Sequence, residues 1–249
     1  VTGVRLAFSW LTVLPVRGPE QVDRVAAGWA IALAPLVGVT LGVGVAGLLW
    51  GLVAVGASAL LAGFVVVAGL ALVTRGMHLD GLADTFDGLG SYGPPERARQ
   101  IMKSGGAGPF GVAAMLFAVA VQAVSFAALA DAGRWVAVVL AVAVGRAVVV
   151  LACRRGVEAA PDTGFGALVA STQSLWTGIA WTGFAVLAAV FAVPGDAWLG
   201  PLVVVSAVGL SALLVRHTVR RFGGLSGDVL GAALEVSVAV TAAGFSLSV

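Results

Sequence analysis

The segment His78-Leu-Asp80-Gly-Leu-Ala-Asp84-Thr-Phe-Asp87-Gly88 places three carboxylates within eight residues of a chain that is otherwise mostly apolar. In a helix, Asp80, Asp84 and Asp87 occupy i, i+4 and i+7 and share a stripe ~60° wide. Like charges on one face repel, and in a membrane protein they call for a positive partner, which a divalent cation supplies. No Lys or Arg lies between Gly76 and Ser91. Carboxylate oxygens beside one His favour a hard cation, Mg2+ or Mn2+, over zinc. Mg2+ keeps some of its waters and bridges carboxylates to substrate phosphates, so a diphosphate substrate fits. The plainer alternative is that these aspartates solvate a loop and cap helices beside Gly81 and Gly88.

Groups suited to anions surround the cluster. Arg75 precedes it, and Arg97, Arg99 and Lys103 follow. Gly105-Gly-Ala-Gly108 then leads to Pro109, a helix start whose free N–H groups can hold a phosphate, or simply a hinge. Arg216, His217, Arg220 and Arg221 precede Gly223-Gly-Leu-Ser226-Gly-Asp228. These arginines serve equally as membrane anchors. Asp228 is a candidate metal ligand, base or helix N-cap. His78 is a candidate ligand or base, or a structural hydrogen-bonding group.

The elements that must position these residues are membrane helices. The chain has 249 residues, 60% hydrophobic and 10% charged, against about 25% charged in soluble domains. Spans are expected at Ala26–Trp50, Leu52–Val73, Pro109–Leu129, Trp135–Ala152, Leu175–Val193, Ala197–Val215 and Val229–Val249, with tight hairpins at Gly51 and Gly195. The run Leu6–Val16 is too short to span and is expected to be interfacial or re-entrant. No cleavable signal peptide is evident. The expected fold is an all-α polytopic bundle of about seven spans, a single integral membrane domain over residues 1–249 with an active-site loop at about 75–108.

Twelve of the fourteen basic residues fall in loops on the N-terminal side, leaving Arg134 opposite and Arg146 inside a span. The positive-inside rule puts that side in the cytoplasm. Asp80, Asp84, Asp87, Glu96, Glu158, Asp162 and Asp228 lie on it too, and Glu20 accompanies the first basic residues. A carrier would place polar groups at mid-membrane or on both faces, so this asymmetry favours an enzyme at one surface. Arg146 and Glu235, each about two turns deep, either snorkel or pair. The net charge of +2 gives no sign of nucleic acid, and the single cysteine, Cys153, forms no internal disulfide. Gly38-xxx-Gly42, Gly47-xxx-Gly51 and Gly227-xxx-Gly231 read as helix-packing sites. Gly42-Val-Gly44-Val-Ala-Gly47 matches a dinucleotide fingerprint but lacks a preceding strand and a following acid, so it reads as packing too.

The stretch from Arg75 to Gly88 closely resembles the signature of the cobalamin synthase family, the adenosylcobinamide-GDP ribazoletransferases. Phe8-Ser-Trp-Leu-Thr12-Val-Leu-Pro15, Ile101-Met-Lys103 with Gly108-Pro-Phe-Gly111, Gly145-Arg146 with Pro161 and Gly164-Phe-Gly166, and Gly223-Gly-Leu-Ser226-Gly-Asp228 resemble further family motifs in order. The resemblance implies an enzyme that joins adenosylcobinamide-GDP to α-ribazole or its 5′-phosphate. GMP is released and the nucleotide loop of cobalamin is formed, with Mg2+ at the inner membrane. It implies other cobalamin-assembly enzymes as candidate partners, and it leaves the oligomeric state open. The family often carries an acid where this chain has Ser104-Gly-Gly-Ala107.

On this basis Asp80, Asp84 and Asp87 are the expected metal ligands. His78, Asp87 and Asp228 are the expected catalytic groups. Arg75, Arg97, Lys103, Arg146 and Arg220 are the expected substrate contacts. The rival readings are a CDP-alcohol phosphotransferase and a permease. The former lacks its full aspartate pattern here, because Asp84 stands where that pattern has arginine.

Overall fold

The computed structural model describes residues 2–19, 21–161 and 164–247; Glu20, Asp162 and the end of the last expected span, Ser248 and Val249, lie outside the described residues. Its helices in order are α1 (Thr2–Leu11), α2 (Arg24–Ala32), α3 (Ala34–Ala54), α4 (Ala59–Val73), α5 (Met77–Gly90), α6 (Pro95–Met102), α7 (Pro109–Asp131), α8 (Trp135–Ala152), α9 (Gly164–Val169), α10 (Leu175–Ala189), α11 (Leu199–Phe222) and α12 (Gly227–Ser246). Five of them, α3, α7, α8, α11 and α12, are long and apolar enough to cross a membrane. The helix α4 joins them if taken with α5, and α10 is a shorter apolar helix. These seven positions are those of the expected spans, and the chain is a multi-pass membrane protein. The short helices α1, α2, α5, α6 and α9 all connect at one end of the bundle, which also carries most of the charge.

The centre is α8 and α12, whose apolar stretches are 78% and 67% buried inside the protein, against 39% for α3 and α7 and 33% for α11. Lipid is as apolar as leucine, so helices associate in it by close packing rather than by hydrophobic exclusion. Small residues allow the approach. A Cβ at Gly42 would lie 2.9 Å from the Val139 Cα of α8, and Gly38 meets Ala143 one turn away. Gly63 of α4 rests on the Ala123 carbonyl of α7. In contrast, Gly44, Gly47 and Gly51 have nothing within 4 Å. The expectation that Gly47-xxx-Gly51 packs a neighbour therefore fails.

Four further expectations change. The first span breaks at Leu33, because Pro35 in the first turn of α3 cannot continue the hydrogen-bond ladder of α2. The first hairpin turns at Gly56, with φ +95°, rather than at Gly51, which is helical. The helix α11 runs on to Phe222, so Arg216, His217, Arg220 and Arg221 sit on helix rather than in a loop; Arg220 and Arg221 complement the negative end of its dipole. Residues 75–108 are mainly two helices, α5 and α6. The expected turn at Gly195 is present, with φ +95°.

Replacing Gly63 by Val forces α4 off α7 and should lower stability by ~1–3 kcal/mol or more. Gly47→Ala, facing open space, should change it by no more than ~1 kcal/mol. Thermal unfolding in detergent, followed by tryptophan fluorescence, checks both.

Candidate active site

After α4 ends, Arg75 and Gly76 take left-handed φ angles of 57° and 67°, and the chain turns through 91° into α5. The turn sets α5 across the end of α4 rather than in line with it. There it packs between α12 and α7. A Cβ at Gly81 would meet the Asp228 Cα at 2.9 Å, and one at Gly231 would meet the His78 Cα at 3.1 Å. Two glycines, one on each helix, thus bring the acidic segment against Asp228.

Asp80 is exposed, and Asp84 and Asp228 are half-buried along this seam. Asp84 shares α5 with Asp80 and Asp87, and the like charges of these residues and of Asp228 act on it. The α12 N-cap is Ser226, whose hydroxyl accepts from the Val229 N–H, so Asp228 is not the cap and sits in the first turn. The Ser226 hydroxyl lies 3.3 Å from the Asp228 Oδ2.

Asp87 faces the other way. Its Oδ2 accepts the Gly108 N–H at 2.6 Å and its Oδ1 accepts the Gly111 N–H at 2.9 Å. The N-terminus of α7, expected to hold a substrate phosphate, holds this carboxylate instead, because a tethered anion already meets its N–H groups. Asp87 braces α5 to α7 and is separated from the α12 seam.

A buried polar group lies beneath the seam. Glu235 accepts from Gln122 Nε2 at 2.7 Å and stands 3.9 Å from His78 Nδ1, a nitrogen with no hydrogen-bond partner in the structure. Arg146 is buried, donates to the Val142 carbonyl at 3.0 Å, and lies near enough to Glu235 for their opposite charges to act on one another. Arg146 stays buried inside the bundle instead of snorkelling.

A cavity of about 340 Å3 opens beside the seam. His78, Asp80, Arg146 and Asp228 form its polar wall, and Trp10, Ile31, Val149, Phe165 and Leu234 are among its apolar residues. Trp10 and Phe165 meet edge to face, with centroids 5.3 Å apart. Both aromatics stand in segments that the sequence singles out, but no spacing connects α1 to α9. Gln122 gave no signal either, being one amide in an apolar span.

Of the expected substrate contacts, Arg146 reaches the cavity, and Lys103 shares a crevice with Asp228, Arg99 and Ser226. Arg75 reaches toward the Thr12 carbonyl, Arg97 is exposed, and Arg220 lines a separate groove with Arg154, Glu158 and Arg216. Among the described residues, no three acidic, His or Cys side chains stand close enough together to hold a metal ion between them. The donors are hard oxygens, and the mutual repulsion at Asp84 is what a cation relieves. That suits an open Mg2+ site completed by water and phosphate.

Comparison with known proteins agrees with this arrangement. A family model described as cobalamin-5-phosphate synthase matches residues 3–246. A Corynebacterium efficiens protein named adenosylcobinamide-GDP ribazoletransferase is 40% identical over 248 residues, covering 96% of this chain and 89% of its own length. One of the same name from Nocardioides sp. is 41% identical, covering 95% of each chain. Another from Frankia casuarinae is 39% identical, covering 95% of this chain and 91% of its own. No solved structure matches. An acidic seam over a buried cavity at one end of a helical membrane bundle, matched along nearly its whole length, marks this chain as a transferase of the cobalamin-5-phosphate synthase family.

Proposed function

We propose that the chain joins adenosylcobinamide-GDP to α-ribazole or its 5′-phosphate with release of GMP, using Mg2+, at the cytoplasmic face of the inner membrane. One observation carries this reading: Asp80, Asp84 and Asp228 meet on a seam that opens onto a cavity at the charged end of the bundle. Relatives across nearly the whole chain bear the ribazoletransferase name. The concentration of basic residues at that end supports the cytoplasmic orientation.

In this reaction a ribose hydroxyl of the acceptor attacks the phosphorus that bears the cobinamide. A P–O bond forms as the phosphoanhydride bond to GMP breaks, and GMP leaves with that bond's electrons. Asp228, on the cavity wall, takes the hydroxyl proton. Ser226 positions Asp228, and His78 and Arg146 complete the polar wall. Lys103 stands where it can meet the leaving phosphate. Asp80 and Asp84 would hold Mg2+, which when bound would neutralise charge on the diphosphate and its leaving group. Asp87, with both oxygens engaged, keeps α7 in register with α5. Arg75, Arg97 and Arg220 lie outside the cavity and draw the anionic donor toward this face.

Purified protein in liposomes should release GMP only when adenosylcobinamide-GDP, α-ribazole and Mg2+ are all present, and EDTA should abolish release. Failure of correctly folded protein to do so overturns the reading. Asp84→Asn at saturating Mg2+ should slow GMP release by about 100-fold; a rate within a few-fold of the parent refutes the metal assignment.

A further inference from the structure

We infer that the groove between the end of α11 and the segment that follows α8 binds the headgroup of an anionic phospholipid, whose phosphodiester meets Arg154 and Arg216 while an acyl chain lies along α11. The groove has a volume of about 700 Å3 and shares no lining residue with the cavity of His78 and Asp228. It therefore stands apart from the transfer reading. Arg154, Arg216 and Arg220 line it together with a single carboxylate, Glu158. Among the described residues, neither Arg216 nor Arg220 meets a carboxylate within ion-pair distance. Arg154 donates one N–H to the Leu151 carbonyl at 3.2 Å, which fixes its guanidinium at the groove.

Two loops clamped to one another hold the groove in shape. Gly224 is pressed against the backbone of Ala159 and Ala160. The Ala160 N–H donates to the Leu225 carbonyl at 3.0 Å, and the Leu225 N–H donates to the Glu158 carbonyl at 2.8 Å. Gly156 has open space where a side chain would stand, which leaves room for a ligand. Val157, Val215 and Val219 supply an apolar side. Guanidinium groups bind phosphate oxygens through paired N–H donors, and their stems pack on apolar surface.

The face of α11 leads a lipid to this groove. Leu202, Val205 and Leu213 are exposed, and a Cβ at Gly209 would meet nothing within 4 Å. With Arg216 and Arg220 these residues fall on one helical stripe about 80° wide. An acyl chain on the stripe ends at Leu213, one turn short of the arginines. Basic pockets beside membrane helices at the positive end of a bundle suit acidic lipid headgroups. The lining has no aromatic residue on which a nucleobase could stack. Glu158 accepts hydrogen bonds from headgroup hydroxyls, which favours a phosphodiester of glycerol over a bare phosphate monoester.

The test is native mass spectrometry of the full chain released from nanodiscs of phosphatidylcholine and phosphatidylglycerol. One phosphatidylglycerol should stay on each chain while phosphatidylcholine is shed. Arg154→Gln with Arg216→Gln should lower that retention about tenfold. Arg5→Gln with Arg155→Gln, which removes the same charge from exposed positions outside the groove, should retain lipid like the parent. Glycerol 3-phosphate or GMP in large excess should not displace the lipid. A phosphatidylglycerol with a diazirine on its acyl chain should label α11 between Val205 and Leu213 in the unsubstituted protein, which requires no variant to fold.

Equal retention of phosphatidylcholine, equal losses in the two double variants, or label spread evenly over the exposed helices would overturn the assignment. Displacement by glycerol 3-phosphate or GMP would overturn it too, by making the groove a site for soluble phosphates. None of these readouts uses GMP release. Failure of the transfer reading therefore leaves the groove standing, and loss of the groove leaves the transfer reading untouched.

Discussion

The contact between α5 and α12 is the constraint on which the charged end of the molecule depends. A helix carrying three aspartates and a histidine has no reason to bury itself in an apolar bundle. It does so because Gly81 and Gly231 let the two backbones meet where any larger side chain would separate them. Packing energy between the helices offsets the repulsion that their carboxylates create. The like charges stay close together along the seam, so the approach of the two helices concentrates negative charge in one place.

The rest of the site is built outward from that contact. Asp87 fixes the other edge of α5 by filling the N-terminus of α7. Gln122 of α7 holds Glu235 of α12, which faces His78 of α5, so three helices share one polar group. Buried polar groups in a membrane interior are costly unless they satisfy each other. Arg99 and Arg221 then tie the end of α11 to α6 and to Ser91. The charged end is a set of short helices clamped by side-chain to backbone bonds, whereas the spans beneath it rely on shape.

Much of this was legible in the chain. Apolar runs located the five helices long enough to cross a membrane, together with α4 and α10, and the acidic segment with Asp228 located the seam. Two things were not legible. A stripe of i, i+4, i+7 carboxylates reads as one face, but α5 lies in a groove between two helices. The stripe straddles the boundary, so Asp80 and Asp84 turn to α12 while Asp87 turns to α7. Likewise Gly38-xxx-Gly42 and Gly47-xxx-Gly51 have identical spacing on the same helix, yet only the first pair meets a neighbour. Periodicity reports which residues share a face; it carries no information about what the face meets. The cavity's aromatic corner was hidden for the same reason, since Trp10 and Phe165 meet only through the fold.

That corner joins residues of α1 and α9 to a seam whose last carboxylate arrives with α12. During synthesis the three aspartates of α5 emerge long before Asp228, Glu235 or Phe165 exist. A nascent chain halted after α8 carries the acidic segment without the helix that shelters it. The working site is therefore a product of the final insertion step: the membrane accepts most of the protein before any catalytic pocket forms. Incomplete chains present charge at one end of the bundle with nothing to hold a substrate.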